Sequence, residues 1–375
     1  MEPSLYIHIP FCRRKCIYCN FYSRIYDSDA ASSFIDILAS QIKSIDGPLH
    51  SIYIGGGTPS SLDRKLLAKL LSSLKNISIR SGEFTIEANP ESLDDDKIKL
   101  FLDSGVNRLS IGVQSTDERK LKKLGRIHSL RRAMDVVSLA YKRGFKNIGV
   151  DIIFGVWGEN LEAWKKELDD VTRLPVNHVS CYELTYEKGT PLYSAVAKRS
   201  VLPVSDDITS AMYETAIDIL GLRGFKQYEV SNFALAGFES KHNMYYWENN
   251  PYFGLGPSAV SYIDGVRAKN VADLKEYIDR FNAGKTLTES KEKLSPLKSA
   301  KETAAVKIRT KDGIDFKWFK AKTGLDFMEL ERKALPELLE DGLIKYKREG
   351  DVQTGICLKR KGFLFCDTVS SAFVG

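Results

Sequence analysis

The chain has 375 residues, 43% hydrophobic and 28% charged, which is enough apolar material for one large core and a smaller one. Its 55 Lys and Arg against 49 Asp and Glu leave a formal charge of +6 spread along the chain, a mildly basic surface and not a nucleic-acid footprint. No run of about 18 apolar residues occurs and Met1 leads straight into a strand-like segment, so neither secretion nor a membrane span is expected, and the cytoplasm is the expected location.

Short β-branched or alternating runs recur at Leu5–Ile9, Ser51–Ile54, Glu83–Glu87, Arg108–Gly112, Asn147–Phe154 and His178–Glu183. Helical periodicity fills the gaps at Ala30–Ile45, Asp63–Leu74, Asp94–Ser104, Leu130–Arg143 and Glu162–Thr172. Six strands alternating with helices predict an α/β fold with a parallel sheet, either doubly wound or rolled into a barrel, over residues 1–186. After Tyr186 the rhythm changes. Asp206–Leu222 reads as one long helix, and Gly224–Gly265, rich in Gly, Asn and aromatics, reads as an irregular lid or flank within 187–284. The polar stretch Gly284–Ser299 reads as a linker or exposed loop, placing a domain boundary there.

Residues 285–375 then give helical patterns at Ala300–Arg309, Phe316–Thr323 and Phe327–Asp341, followed by alternating Leu343–Lys347 and Ile356–Lys359. Three helices and a hairpin predict a small winged-helix-like domain. Its 16 Lys and Arg against 12 Asp and Glu between 285 and 349 favour a structural or partner-binding role over DNA reading.

Three of the six cysteines fall within eight residues, in Phe11-Cys12-Arg13-Arg14-Lys15-Cys16-Ile17-Tyr18-Cys19, directly after the first strand. In a chain without a signal peptide this clustering points to a metal site before a disulfide framework. Thiolates at C-x3-C-x2-C spacing can converge on one iron–sulfur cluster, and Arg13, Arg14 and Lys15 are expected to favour their ionised form. Three ligands on four irons leave one iron open for chemistry. The alternative is zinc completed by His8, four residues before Cys12. Strand alternation puts Tyr6 and His8 on one face and Leu5, Ile7 and Ile9 on the other, so His8 can equally be a hydrogen-bonded interior residue.

Further polar groups stand at strand ends: Gly55-Gly56-Gly57-Thr58-Pro59 after the second, Glu87 on the third beside Thr85, Gln114 on the fourth, and Asp151 within an apolar fifth. Each alone can be a satisfied structural group; together with the triplet they mark one rim of a barrel as a site. Arg126 can pair with a carboxylate or be a solvated charge. Cys181, Cys357 and Cys366 have no partner at ligand spacing and read as small buried residues.

The triplet, with aromatic Tyr18 before its last Cys, resembles the signature of radical S-adenosylmethionine enzymes. The resemblance implies a partial (β/α)6 barrel and a 4Fe-4S cluster on Cys12, Cys16 and Cys19. It also implies S-adenosylmethionine on the open iron, split after electron transfer from the cluster into methionine and a 5′-deoxyadenosyl radical, with Tyr18 near the adenine. The set Tyr6, Gly56, Gly57, Thr58, Glu87, Gln114, Arg126 and Asp151 resembles the S-adenosylmethionine contacts of the oxygen-independent coproporphyrinogen III oxidase family, and Thr185 and Val260 fall where that family has further contacts.

The family has an oxidase branch and a heme chaperone branch that passes heme to an acceptor protein. The oxidase motif carries a fourth Cys where this chain has Phe21, and an N-terminal extension for which a chain starting four residues before Leu5 has no room. The chain also has His242-Asn243-Met244-Tyr245-Tyr246-Trp247, which resembles the heme-binding His-Asn-x-x-Tyr-Trp motif of the chaperone branch. A neutral imidazole suits heme iron and aromatic neighbours suit the macrocycle, although a His beside aromatics can be structural. The expected partners are therefore heme, a heme-acceptor protein and an electron donor such as a flavodoxin or ferredoxin, with no nucleic acid and no membrane span. Oxidative decarboxylation of coproporphyrinogen III is the competing expectation.

Overall fold

A computed structural model describes residues 1–374. Six parallel strands form the centre of one twelve-stranded sheet: β1 (Ser4–Ile9), β2 (Ile52–Gly56), β3 (Phe84–Ala88), β4 (Arg108–Gln114), β5 (Asn147–Phe154) and β6 (His178–Glu183), neighbours in that order. A helix follows each of the first five: α1 (Ser28–Lys43), α2 (Arg64–Leu74), α3 (Asp95–Asp103), α4 (Leu130–Arg143) and α5 (Leu161–Thr172). Each helix starts where the chain offers a capping side chain. Asp27, Asp63, Asp94, Ser129 and Asn160 each accept the N–H three residues on, a contact that stabilises a helix by about 1 kcal/mol.

The two-residue period of the strands sorts chemistry between the two faces of the curved sheet. Leu5, Ile7 and Ile9, Ile52 and Ile54, Leu109, Ile111 and Val113, and Ile148, Val150 and Ile152 are all buried in the layer against the helices. The alternate positions carry Tyr6 and His8, Tyr53, Thr85 and Glu87, Arg108 and Ser110, Asp151, and His178 and Ser180, and these turn into the barrel. There they meet one another: Tyr6 Oη lies 3.1 Å from His8 Nδ1, Tyr53 Oη 2.6 Å from Glu87, and Ser110 Oγ 3.4 Å from Asp151. The partial barrel thus has an apolar outer layer and a polar interior.

Residues 187–284 are more regular than expected. Lys226–Gln227 and Asn232–Ala234 extend the sheet antiparallel beyond β6, while Tyr252–Leu255 pairs parallel with β1 and carries two antiparallel strands, Val260–Ile263 and Val266–Asn270. The polar stretch read as a linker is in fact a strand, Thr288–Lys293, on the outer edge against Val266–Asn270. Nearly every side chain in it is exposed, so no buried face imprints a period of two on its sequence.

In the C-terminal part, helices Pro296–Lys307 and Phe316–Thr323 and the hairpin Ile344–Glu349/Val352–Leu358 match the expected pattern, with Ile314–Asp315 as a third strand. The third expected helix is broken into Phe327–Leu330 and Ala334–Glu340. Pro336, which lacks an N–H, is accommodated in the first turn of the second piece. Two further helices, Arg360–Leu364 and Cys366–Val374, were not legible from periodicity; Phe373 docks edge-on to Phe327 at 5.7 Å. Among the described residues no helix is long and apolar enough to cross a membrane.

Candidate functional site

At the C-terminal ends of β1 to β6 a cavity of about 450 Å³ opens. The loop after β1 contributes Cys12, Cys16, Tyr18 and Cys19. The turn after β2 contributes Gly56, Gly57 and Thr58, and the other strands contribute Glu87, Gln114, Asp151 and, just past β6, Thr185. Arg126 completes this set. The end of a parallel barrel where strands hand over to loops is where such folds build sites, because loops are free to vary there without disturbing the core.

The cysteine loop is fixed by its own backbone and by the β2 turn. Cys19 N–H donates to Cys16 O at 3.3 Å, Tyr26 N–H to Cys12 O at 2.9 Å, and Gly57 N–H to Ile9 O at 2.8 Å. A Cβ on Gly57 would stand 2.8 Å from Phe11 O, and Gly56 adopts φ 113° with its Cβ position 2.7 Å from His8 Nδ1. The glycines are therefore required by the close approach of the cysteine loop and of β1, independently of any ligand. Thr58 Oγ1 lies 3.5 Å from Cys12 Sγ and accepts from Asn89 Nδ2 at 3.0 Å.

Arg126 does not pair with a carboxylate, as one expectation had it. Its Nη1 donates to Cys16 Sγ at 3.3 Å, and its Nη2 to Asn89 Oδ1 at 2.7 Å and Gly112 O at 3.0 Å. Lys15 favours the ionised form of Cys19, the direction expected of it, but burial acts more strongly the other way. Burial pushes the Cys12 thiol up as well, and Arg126 opposes it only weakly. Arg13 turns away and stacks 4.8 Å over the Tyr26 ring.

Zinc completed by His8 is disfavoured by the contacts of His8. Its Nδ1 meets Tyr6 Oη and its Nε2 meets Tyr22 O at 2.9 Å, so both ring nitrogens are engaged. Among the described residues no three His, Cys, Asp or Glu side chains close on a single ion. The three thiols instead face a common cavity, and a cubane spaces its ligands more widely than one tetrahedral ion does. The donor set and the space fit a four-iron cluster.

The carboxylates of the cavity are held by interior groups. Glu87 Oε1 accepts from Tyr53 Oη at 2.6 Å and Oε2 from Gly56 N–H at 3.2 Å. Burial raises its carboxyl to about 7, and burial likewise raises that of Asp151. Gln114 sits in a left-handed conformation, φ 67°, which turns the chain at the rim. Two expected contacts lie elsewhere: Tyr6 is behind the cavity, against His8 and Tyr53, and Val260 is on an outer strand. Asn89, Ser110 and Tyr182 also line the cavity and were not singled out from sequence. The alternation Arg108, Ser110, Gly112, Gln114 against Leu109, Ile111, Val113 is the signal that could have found Ser110.

His242 is not in the cavity. It is the second residue of the helix Lys241–Trp247; the capping Ser240 Oγ and the Lys241 and His242 N–H groups donate to Glu83, just ahead of β3 and so at the opposite end of the barrel. Its Nδ1 lies 2.8 Å from Ser51 Oγ, and its Nε2 is buried without a hydrogen-bond partner, as are Tyr246 Oη and Trp247 Nε1. Only 2% of the residue is exposed. Cys181, Cys357 and Cys366 are buried, as expected.

Residues 6–171 match the family model for the radical SAM superfamily, and residues 294–365 that for the HemN C-terminal domain. The chain is 35% identical over 374 residues to heme chaperone HemW of Lactococcus lactis, covering 99% of this chain and 97% of that one. It is 34% identical over 380 residues to heme chaperone HemW of Bacillus subtilis, covering 99% of each. Among solved structures it resembles coproporphyrinogen III oxidase (HemN) from Escherichia coli, a likeness of fold at 21% identity, with a TM-score of 0.84 over 99% of this chain and 90% of that chain.

Proposed function

Because the chain belongs to the radical SAM superfamily and, within it, to the heme chaperone family, we propose that it binds heme and delivers it to an acceptor protein. Membership implies a 4Fe-4S cluster and S-adenosylmethionine. In this reading Cys12, Cys16 and Cys19 hold the cluster, and Gly56, Gly57, Thr58, Glu87, Gln114, Asp151 and Thr185 surround S-adenosylmethionine. The observation that carries the assignment is their shared lining of one cavity at the C-terminal ends of all six parallel strands and the loops that follow them.

The chemistry of the cavity suits that ligand. S-adenosylmethionine carries an ammonium and a sulfonium group, and Glu87 and Asp151 offer carboxylates at low solvent exposure, where charge complementarity is strong. Tyr18 gives an aromatic wall, and Arg126 ties Cys16 to the β3 and β4 ends through Asn89 and Gly112. When bound, the cluster supplies single electrons, which requires a donor of the flavodoxin or ferredoxin class and fits a cytoplasmic protein.

For heme the donor chemistry also fits. His242 Nε2 is an unpartnered imidazole nitrogen beside Tyr246, 4.5 Å between ring centroids, and burial lowers its pKa to about 3, so it stays neutral. A planar macrocycle reaches it only when the helix Lys241–Trp247 shifts, because the residue is enclosed. Phe21, 66% exposed at the cavity rim, stands where the resembling oxidases carry a further Cys. The test is anaerobic reconstitution of the full chain, then heme titration and transfer to an apo-cytochrome. Heme uptake without conversion of coproporphyrinogen III is expected; conversion to protoporphyrinogen IX would replace this reading by the oxidase one.

A further inference from the structure

Tyr53, on β2, touches both ends of the barrel interior with different parts of its side chain. Its hydroxyl donates to Glu87 Oε1 at 2.6 Å, on the cavity side. Its ring lies 5.0 Å from the His242 ring and 6.2 Å from Tyr6, on the opposite side. Gly55 makes room for the pair: a Cβ there would stand 2.9 Å from Glu87 Cδ, from Glu87 Oε2 and from Tyr53 Cε1. We propose that Tyr53 is a positioning residue, whose hydroxyl fixes the Glu87 carboxylate to receive a cationic group of S-adenosylmethionine while its ring separately packs against the His242 ring.

The chemistry follows from the donor count. A phenol has one proton to give, and burial pushes that of Tyr53 well above its ordinary range, so Tyr53 acts as the donor and Glu87 as the acceptor. The bond favours the ionised carboxylate, as does Gly56 N–H on Oε2, and together they fix both oxygens in one plane facing the cavity. The other groups acting on Glu87 come from different strands: Asp151 on β5 disfavours its charge and Arg108 on β4 favours it. Tyr6 on β1 lies near enough for Glu87 to act on its phenol. Without the Tyr53 hydroxyl, Glu87 takes up its proton at higher pH and loses its fixed orientation.

This role rests on S-adenosylmethionine occupying the cavity, and the experiment separates the two. The anaerobically reconstituted full chain and its Y53F, G55A and E87Q variants would be titrated with labelled S-adenosylmethionine by equilibrium dialysis from pH 6 to 9, and with heme by Soret absorbance. For Y53F we expect roughly tenfold weaker S-adenosylmethionine binding at neutral pH, a pH midpoint of binding displaced upward, and an unchanged heme titration because the ring remains. G55A, which keeps the hydroxyl but crowds the pair, should also weaken S-adenosylmethionine binding. Wild-type affinity in E87Q would overturn the cavity assignment and the Tyr53 role with it. Weakened binding in E87Q beside wild-type affinity and midpoint in Y53F would overturn the Tyr53 role alone, and so would a Y53F heme titration altered in step with S-adenosylmethionine binding.

Discussion

Arg126 Nη1 lies 3.3 Å from the Cys16 thiol, while Nη2 of the same guanidinium bridges Asn89 Oδ1 and Gly112 O. A planar fork with donors in fixed directions can serve three acceptors on three different segments, and an ammonium cannot reproduce that geometry. Arg126→Lys is therefore expected to cost about 1–3 kcal/mol of stability in urea unfolding, because buried acceptors lose their donor. Its reconstituted cluster should also bleach faster in air. Wild-type unfolding and bleaching in the Lys variant would show that charge alone, without the fork, is enough.

Cys12, Cys16 and Cys19 share one cavity and belong to one loop pinned by Gly57 and Tyr26 backbone bonds. Replacing any one by Ala should remove the brown chromophore and the EPR signal of the reduced cluster, with the unfolding curve of the apo-protein little changed. Iron and sulfide analysis of anaerobically purified protein checks the identity of the metal. Stoichiometric zinc without iron would sink the assignment.

The six parallel strands and their helices were legible because β-branched or alternating runs and helical periodicity write the elements into the sequence, while caps such as Asp63 and Asn160 set the boundaries in the structure. Glu87, Gln114 and Asp151 were legible as polar groups at strand ends, whereas Asn89, Ser110 and Tyr182, which share the cavity, were not. Edge strands such as Thr288–Lys293 were not, because exposed on both faces they carry no hydrophobic period. Nor could the distance of His242 from the cysteines be read. It depends on Glu83 capping the helix Lys241–Trp247 at the far end of β3, a contact between residues about 160 positions apart. The Tyr53–Glu87 bond escaped for the same reason, since it needs the register of two neighbouring strands.

Glu229 offers a test of the fold apart from the site. It is 1% exposed, accepts from Ser231 N–H at 3.2 Å, and burial raises its carboxyl to about 7. Its backbone bridges to Thr310 in the C-terminal part. A carboxyl whose folded pKa lies above its unfolded value adds stability that is fully present below about pH 4.5 and is lost as pH rises through about 7. Glu229→Gln removes that titration. It should gain stability over the wild type by roughly 2–3 kcal/mol at pH 8 and by much less at pH 5, read from urea unfolding at the two values. A difference independent of pH would mean that folding does not raise the pKa of Glu229.

His242 joins the proposed heme function to a specific atom. Its Nδ1 is engaged by Ser51 Oγ at 2.8 Å, which leaves the unpartnered Nε2 as the nitrogen for iron. Burial, with Arg108 and His50 adding to it, lowers the imidazole pKa to about 3. The ring is therefore neutral throughout the physiological range, and heme affinity should show no step attributable to this residue between pH 5 and 8. Folding stability tied to it is present above the unfolded pKa of about 6.5 and is lost as pH falls below it, because unfolding lets the ring take up a proton. His242→Ala should lose or shift the Soret band of the heme complex while the cluster absorbance persists, since the two sites stand at opposite ends of the barrel. Loss of both absorbances would indicate misfolding, which the unfolding curve would reveal independently. An intact Soret band in a folded His242→Ala protein would move the ligand elsewhere. The next residue to test would be His178, whose Nδ1 is likewise buried without a partner while its Nε2 lies 2.8 Å from Tyr228 Oη.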